Sequence, residues 1–179
     1  LIGLALLSAI GIIFAPLLTR LITPGFGPEE QATTTALTRI MFLSPLFLGI
    51  SGILGGILQS FKRFLIYSLA PIFYNLGIII GALYFVNIWG LYGLAWGVVL
   101  GAFMHMAIQI PLVSQLGFRY RFKIIWRDIN TIKIGKMMIP RTLSLAISQI
   151  NLVVITIIAS SLSTGSLSIF NLANNLQSF

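Results

Sequence analysis

Gly117 to Lys136 reads GFRYRFKIIWRDINTIKIGK, and it contains Arg119, Arg121, Lys123, Arg127, Lys133 and Lys136, six of the chain's eleven basic residues. Long apolar runs with almost no charge lie on both sides of it. A basic island between two membrane-length runs marks a loop on the cytoplasmic side, where Lys and Arg are retained. Phe122, Ile125, Trp126, Ile129 and Ile132 recur at helical spacing, so residues 117–136 are expected to lie on the membrane surface as an amphipathic helix. Placing this loop inside orients every other span.

The bulk composition agrees. Of 179 residues, 58% are hydrophobic and only 8% charged, with a mean hydropathy of +1.03. A soluble domain of this size needs a charged surface that these residues cannot supply. The fold class is therefore all-α integral membrane, a polytopic helical bundle. The net charge of +8 does not indicate nucleic acid. The cations cluster at loops and span ends, with no soluble module to carry a groove.

Outward from the island, six transmembrane helices are expected in one membrane domain covering 1–179. They lie at about 1–22, 36–60, 65–86, 91–116, 137–161 and, truncated, 166–179. Pro16, Pro45 and Pro71 interrupt the first three. The polar segment from Thr23 to Thr35 reads as a loop carrying Glu29 and Glu30. Phe61-Lys62-Arg63-Phe64 is a short basic turn, and Asn87-Ile88-Trp89-Gly90 an uncharged one. Acidic, basic and uncharged loops thus alternate as they should if odd-numbered spans run outward. The chain starts inside an apolar run at Leu1 and stops at Phe179 within a helical pattern, as expected of an internal piece of a longer protein.

Helix packing is expected on small residues: Gly93/Gly97/Gly101, Gly52/Gly56 and Gly77/Gly81. In lipid, close backbone approach is what brings helices together.

Few groups could carry chemistry. The three acids, Glu29, Glu30 and Asp128, fall in loops, and one histidine cannot hold a metal. Neither a cofactor nor a metal is expected. Gly49-Ile50-Ser51-Gly52 has the GxSG form found around the nucleophile of rhomboid proteases, and His105 falls at a similar depth. A Ser51–His105 dyad would need the pair within hydrogen-bond reach. Set against it, Ser51 belongs to a run of small packing residues, and His105 reads as an interhelical hydrogen-bonding group.

Polar residues inside the last two spans say more. Arg141, Ser144, Ser148 and Asn151 share one helical stripe with Gln149 beside it, and Asn171, Asn174, Asn175 and Ser178 form another. Uncompensated polar groups in hydrocarbon are costly, so these stripes should face protein or a water-filled cavity. Arg141, Gln149, Asn151, Asn174 and Asn175 are the expected cleft-lining residues. Arg141 can also snorkel toward the basic island, and Arg20 and Arg39 read as interfacial anchors.

Several motifs together resemble the MurJ/MviN lipid II flippases. They are Thr23-Pro24-Gly25-Phe26, Arg39-Ile40-Met41-Phe42 ahead of Pro45, Gly55 to Phe64 (GGILQSFKRF), Leu69 to Leu76 (LAPIFYNL), Gly93-Leu94-Ala95-Trp96-Gly97 and Ser148-Gln149. The resemblance covers essentially the whole chain and matches its spans to the third through eighth helices of that family. It implies the MOP-superfamily (MATE-like) fold, two bundles around a central cavity, and transport without enzyme activity. The implied cargo is undecaprenyl-linked peptidoglycan precursor, carried to the outer leaflet of the bacterial inner (cytoplasmic) membrane by alternating access. Implied partners are that lipid-linked precursor, membrane lipids and cell-wall synthesis proteins, and no nucleic acid. The family's cavity helices include those matching the two amide-bearing spans. One departure stands out: Asn174, Asn175 and Ser178 occupy positions where many members carry an Asp-Arg pair and a nearby Glu. Pyrophosphate binding would then rest on cations outside this chain or on Arg141. The alternatives are another transporter of the same fold, for an oligosaccharide lipid or for drugs, and a non-transporting scaffold of cell-wall assembly.

Overall fold

The computed structural model describes residues 2–118, 129–162 and 166–177, and all regular structure among them is helical. The chain divides into two compact units, 1–17 with 29–119 and 18–28 with 120–179. Five helical stretches are long and apolar enough to cross a membrane: Ile2–Ile22, Pro28–Ser60, Phe64–Trp89, Leu91–Gln115 and Ile132–Ser160. They overlap the first five expected spans, with the second and fifth beginning earlier, at Pro28 and Ile132. The sixth, α9 (Ser166–Gln177), is described over 12 residues.

Helix α1 covers Ile2–Ile22 with Pro16 inside it. The segment read as a polar loop is largely helical, because α2 begins at Pro28 and runs to Met41. Pro28 suits a first helical position, and Glu29 and Glu30 in the first turn complement the positive end of the helix dipole. Pro45 opens α3 (Ser44–Ser60) after a short break. That break is the interruption expected in the second span.

Phe61 to Arg63 turns the chain. Arg63 N–H donates to Leu58 O at 2.8 Å and Lys62 N–H to Gln59 O at 2.9 Å, with Lys62 at φ 57°. This is a Schellman ending, with lysine where glycine is the usual occupant. Helix α4 (Phe64–Ile80) continues through a π-helical turn, Gly81–Phe85, into the four-residue α5 (Val86–Trp89). Asn87, expected in a linker, is thus helical, and Gly90 alone makes the turn, at φ 57° and ψ −137°.

Helix α6 (Leu91–Ala107) is the centre of the first unit and packs on α3, α4, the π turn and α5. Its buried residues are mostly small: Gly93, Ala95, Gly97, Gly101 and Ala102. Two of the expected glycine stripes face each other here. A Cβ built on Gly77 would strike the Gly101 backbone, one on Gly81 the Gly97 backbone, and one on Gly93 the Phe85 carbonyl. The helices therefore touch along their backbones, where dispersion between close-packed atoms replaces the hydrophobic force absent in lipid. Gly52 and Gly56 behave otherwise. A Cβ on either meets nothing within 4 Å, and it is Ser51, Gly55 and Leu58 that α3 buries.

Helix α6 breaks at Ile108–Gln109 and resumes as α7 (Ile110–Gln115), whose first turn contains Pro111. In the second unit, α8 runs from Ile129 to Ser160. Residues 129–136 are thus continuous with the fifth span, while 119–128, most of the expected surface helix, lie outside the described residues. Gly25 sits against the Ser160–Ser161 backbone.

Candidate substrate cleft and a buried polar cluster

Helix α8 holds one register through Pro140, so Arg141, Ser144 and Asn151 do share a face. Helix α9 packs against α8 and carries Asn174 and Asn175. Asn151 lies nine residues before Ser160, and Asn175 nine residues after Ser166. At 1.5 Å per residue each is about 14 Å from the connecting turn. The two amide groups therefore sit at matching depth on adjacent helices. Arg141, Gln149, Asn151, Asn174 and Asn175 are all exposed within this chain. The side chains of Ser148, Asn171 and Ser178 lie outside the described residues.

Chemically, such a surface offers neutral donors and acceptors from the amides and one guanidinium. Amides exchange hydrogen bonds with sugar hydroxyls and phosphate oxygens alike, and a guanidinium can grip a phosphate with two parallel N–H bonds.

The other polar grouping is buried in the first unit. Ser51 Oγ lies 2.6 Å from His105 Nδ1 and 3.4 Å from His105 O. Gln109 Nε2 donates to Ser51 Oγ and, at 2.9 Å, to His105 O. Ser51 is 1% exposed and Gln109 0%. The edge-to-face ring of Tyr74 covers His105, with centroids 6.3 Å apart. Gln109 Oε1 is buried with no hydrogen-bond partner among the described residues.

Ser51 and His105 therefore do meet the distance that a nucleophile and its base would need. The surroundings point elsewhere. Ser51 is closed off, and the Gln109 amide already donates to its oxygen. Ser51 also lies inside a regular helix, whose N–H groups bond along the helix and cannot form an oxyanion hole. The geometry is that of an interhelical polar contact, the reading of His105 made from the sequence. Gln109 was not singled out there. Its signal was present in the i, i+4 spacing from His105 and in Pro111, which ends the helix beside it.

Comparison with known proteins agrees with the membrane fold. The family model described as Lipid II flippase MurJ matches residues 1–179. A protein named "Probable lipid II flippase MurJ" from Buchnera aphidicola subsp. Acyrthosiphon pisum is 32% identical over 180 residues, covering 98% of this chain and 35% of that protein. One of the same name from Haemophilus influenzae is 34% identical over 159 residues, covering 86% of this chain and 31% of its own length. "Lipid II flippase MurJ" from Burkholderia cenocepacia is 28% identical over 187 residues, covering 99% and 36%. The chain thus spans about a third of the length of these relatives. With its membrane-length helices and a match along its whole length, this multi-pass membrane chain belongs to the lipid II flippase MurJ family.

Proposed function

We propose that this chain works in a flippase that moves lipid-linked peptidoglycan precursor from the inner to the outer leaflet of the bacterial cytoplasmic membrane. The observation that carries the reading is the pair of amide-bearing helices, α8 and α9, whose Asn151 and Asn175 stand at matching depth in a chain of this family. A diphosphate-sugar head is prohibitively expensive to place in hydrocarbon, so the physical task is to shield it while the prenyl tail stays in lipid. Alternating access meets that need: a cleft opens inward, takes up the head, then opens outward. Arg141, Gln149, Asn151, Asn174 and Asn175 line that cleft. Asn174 and Asn175 replace the charged pair of many members, so on this half the head is held by neutral amides and Arg141. The work is transport, not bond making or breaking. The rival with its own support is a non-transporting scaffold in cell-wall assembly, which the loss of the charged pair would permit.

The chain has no cysteine, so single cysteines introduced into it report cleanly once any cysteine elsewhere in the intact protein is replaced. Cysteines in place of Asn151 and Asn175 in the intact protein should react with a membrane-impermeant maleimide, and silence at both rejects the cleft. Depletion of the protein should trap the precursor in the inner leaflet in a leaflet-accessibility assay. Unchanged outward movement rejects the flippase and leaves the scaffold.

A further inference from the structure

Resting on the transport reading, we propose that Lys133 makes the first contact with the diphosphate of the lipid-linked precursor, at the entry end of the stripe that carries Arg141 and Asn151. A lysine read from the sequence as part of a surface helix is placed by the fold on the face of the proposed cleft.

The continuity of α8 fixes that placement. In a separate surface helix, the direction of Lys133 would be unrelated to that of Arg141. Instead α8 runs unbroken from Ile129 to Ser160, with Pro140 inside it. Lys133 and Asn151 are 18 residues apart, about five whole turns at 3.6 residues per turn, so they lie on one line along the helix. Ser144 falls about 20° from that line and Arg141 about 80° to the same side. Lys136 falls about 60° to the other side, and Gly135 about 160° round, on the opposite face. The stripe from Arg141 to Asn151 therefore extends to Lys133.

Depth along the axis sets the order of contact. At 1.5 Å per residue, Lys133 is about 12 Å from Arg141 and about 27 Å from Asn151, and the hydrocarbon core is about 30 Å thick. Lys133 stands one residue inside the membrane-length stretch that begins at Ile132. Its end of α8 adjoins the basic segment in sequence, which marks the inner side. A lipid-linked diphosphate resting in the inner leaflet carries its charge at this level, with its prenyl tail in hydrocarbon. It meets Lys133 first, then Arg141 about two turns deeper. Beyond that it meets only neutral side chains, because α8 has no cation past Arg141 and α9 has none.

Both cations are exposed, and no carboxylate on α8 or α9 competes for them. A lysine ammonium is a point charge on a flexible stem, so it captures phosphate without fixing its orientation. The Arg141 guanidinium can then take two phosphate oxygens at once. A stripe that is cationic at its entry and neutral deeper binds the head strongly enough to admit it and weakly enough to let it leave. A lysine that only marked sidedness would depend on the charge of the segment, not on which face carries it.

The test moves that charge around the helix of the intact protein in proteoliposomes, with fluorescent lipid II as the probe and its rate of movement followed against its level in the membrane. Lys133→Gln should raise the level needed for half-maximal movement about tenfold, the loss of one charge-assisted contact, and leave the rate at saturation unchanged. Adding Met137→Lys, about 40° from Lys133 and one turn deeper, should restore the parent value. Adding Gly135→Lys, on the opposite face, should not, although it returns the same net charge. The two relocated variants differ only in where one lysine stands, so their comparison decides even if Lys133→Gln alone is less stable. An unchanged half-saturation in Lys133→Gln, or equal rescue by both relocations, overturns the contact and leaves a lysine acting through net charge. A parent protein that moves no lipid II overturns the transport reading instead, and the contact with it.

Discussion

Arg39 Nε donates to the backbone carbonyl of Ile12 at 3.3 Å. Four residues beyond Ile12 stands Pro16, which has no N–H to give. A side chain from α2 thus supplies the bond that the α1 ladder lacks. The arginine expected from the sequence as an interfacial anchor thus donates to the carbonyl that Pro16 leaves without its helical N–H.

From this follows a thermodynamic cycle. Arg39→Ala should destabilise the intact protein by about 1 kcal/mol, because a carbonyl loses its donor. Pro16→Ala restores the helical N–H and should make Arg39 nearly dispensable, so the double variant loses less than the sum of the single ones. A coupling of about 1 kcal/mol in reversible unfolding in detergent is expected. Strict additivity would show that the two residues act independently.

The glycine stripes give a contrast between two similar substitutions. Gly97→Ala sets a Cβ 2.6 Å from the Gly81 Cα, and backbone cannot swing aside as a side chain can. The cost should be about 1–3 kcal/mol, typical of overpacking. Gly56→Ala meets open space and should be neutral or stabilising by up to about 1 kcal/mol through helix propensity. Equal melting temperatures for the two variants would contradict the backbone contact between the π turn and α6.

Two turns differ in how well their residues suit them. Gly90, at φ 57° and ψ −137°, occupies a region open essentially to glycine, and Gly90→Ala should cost about 1–3 kcal/mol. Lys62, at φ 57°, pays the left-handed penalty of a side chain, so Lys62→Gly should stabilise by about 1 kcal/mol. Thermal unfolding of the pair should move in opposite directions. A Lys62→Gly variant no more stable than the parent would mean that the lysine has contacts which offset its strain.

For the cleft, Asn151→Leu combined with Asn175→Leu should slow precursor movement on the order of tenfold, as lost hydrogen bonds to the head translate into rate. Both side chains are exposed within the chain, and the melting temperature of the variant separates a loss of transport from a loss of fold. Full transport in that double variant would remove the two amides from the substrate path.

The apolar spans could be read from residue order, because a bilayer acts on each helix separately: about twenty apolar residues cross it whatever their neighbours are. Within single helices, too, local chemistry was enough, as Pro45 breaking the second span shows. Partners were another matter. Among three similar glycine stripes, only tertiary packing matched Gly77 and Gly81 to Gly101 and Gly97 and left Gly52 and Gly56 open. Only packing brought Ser51, His105 and Gln109 onto one another, and set Arg39 beside the carbonyl freed by Pro16. Hydropathy belongs to one helix at a time. Which faces meet depends on crossing geometry between residues dozens of positions apart, and no local pattern contains it.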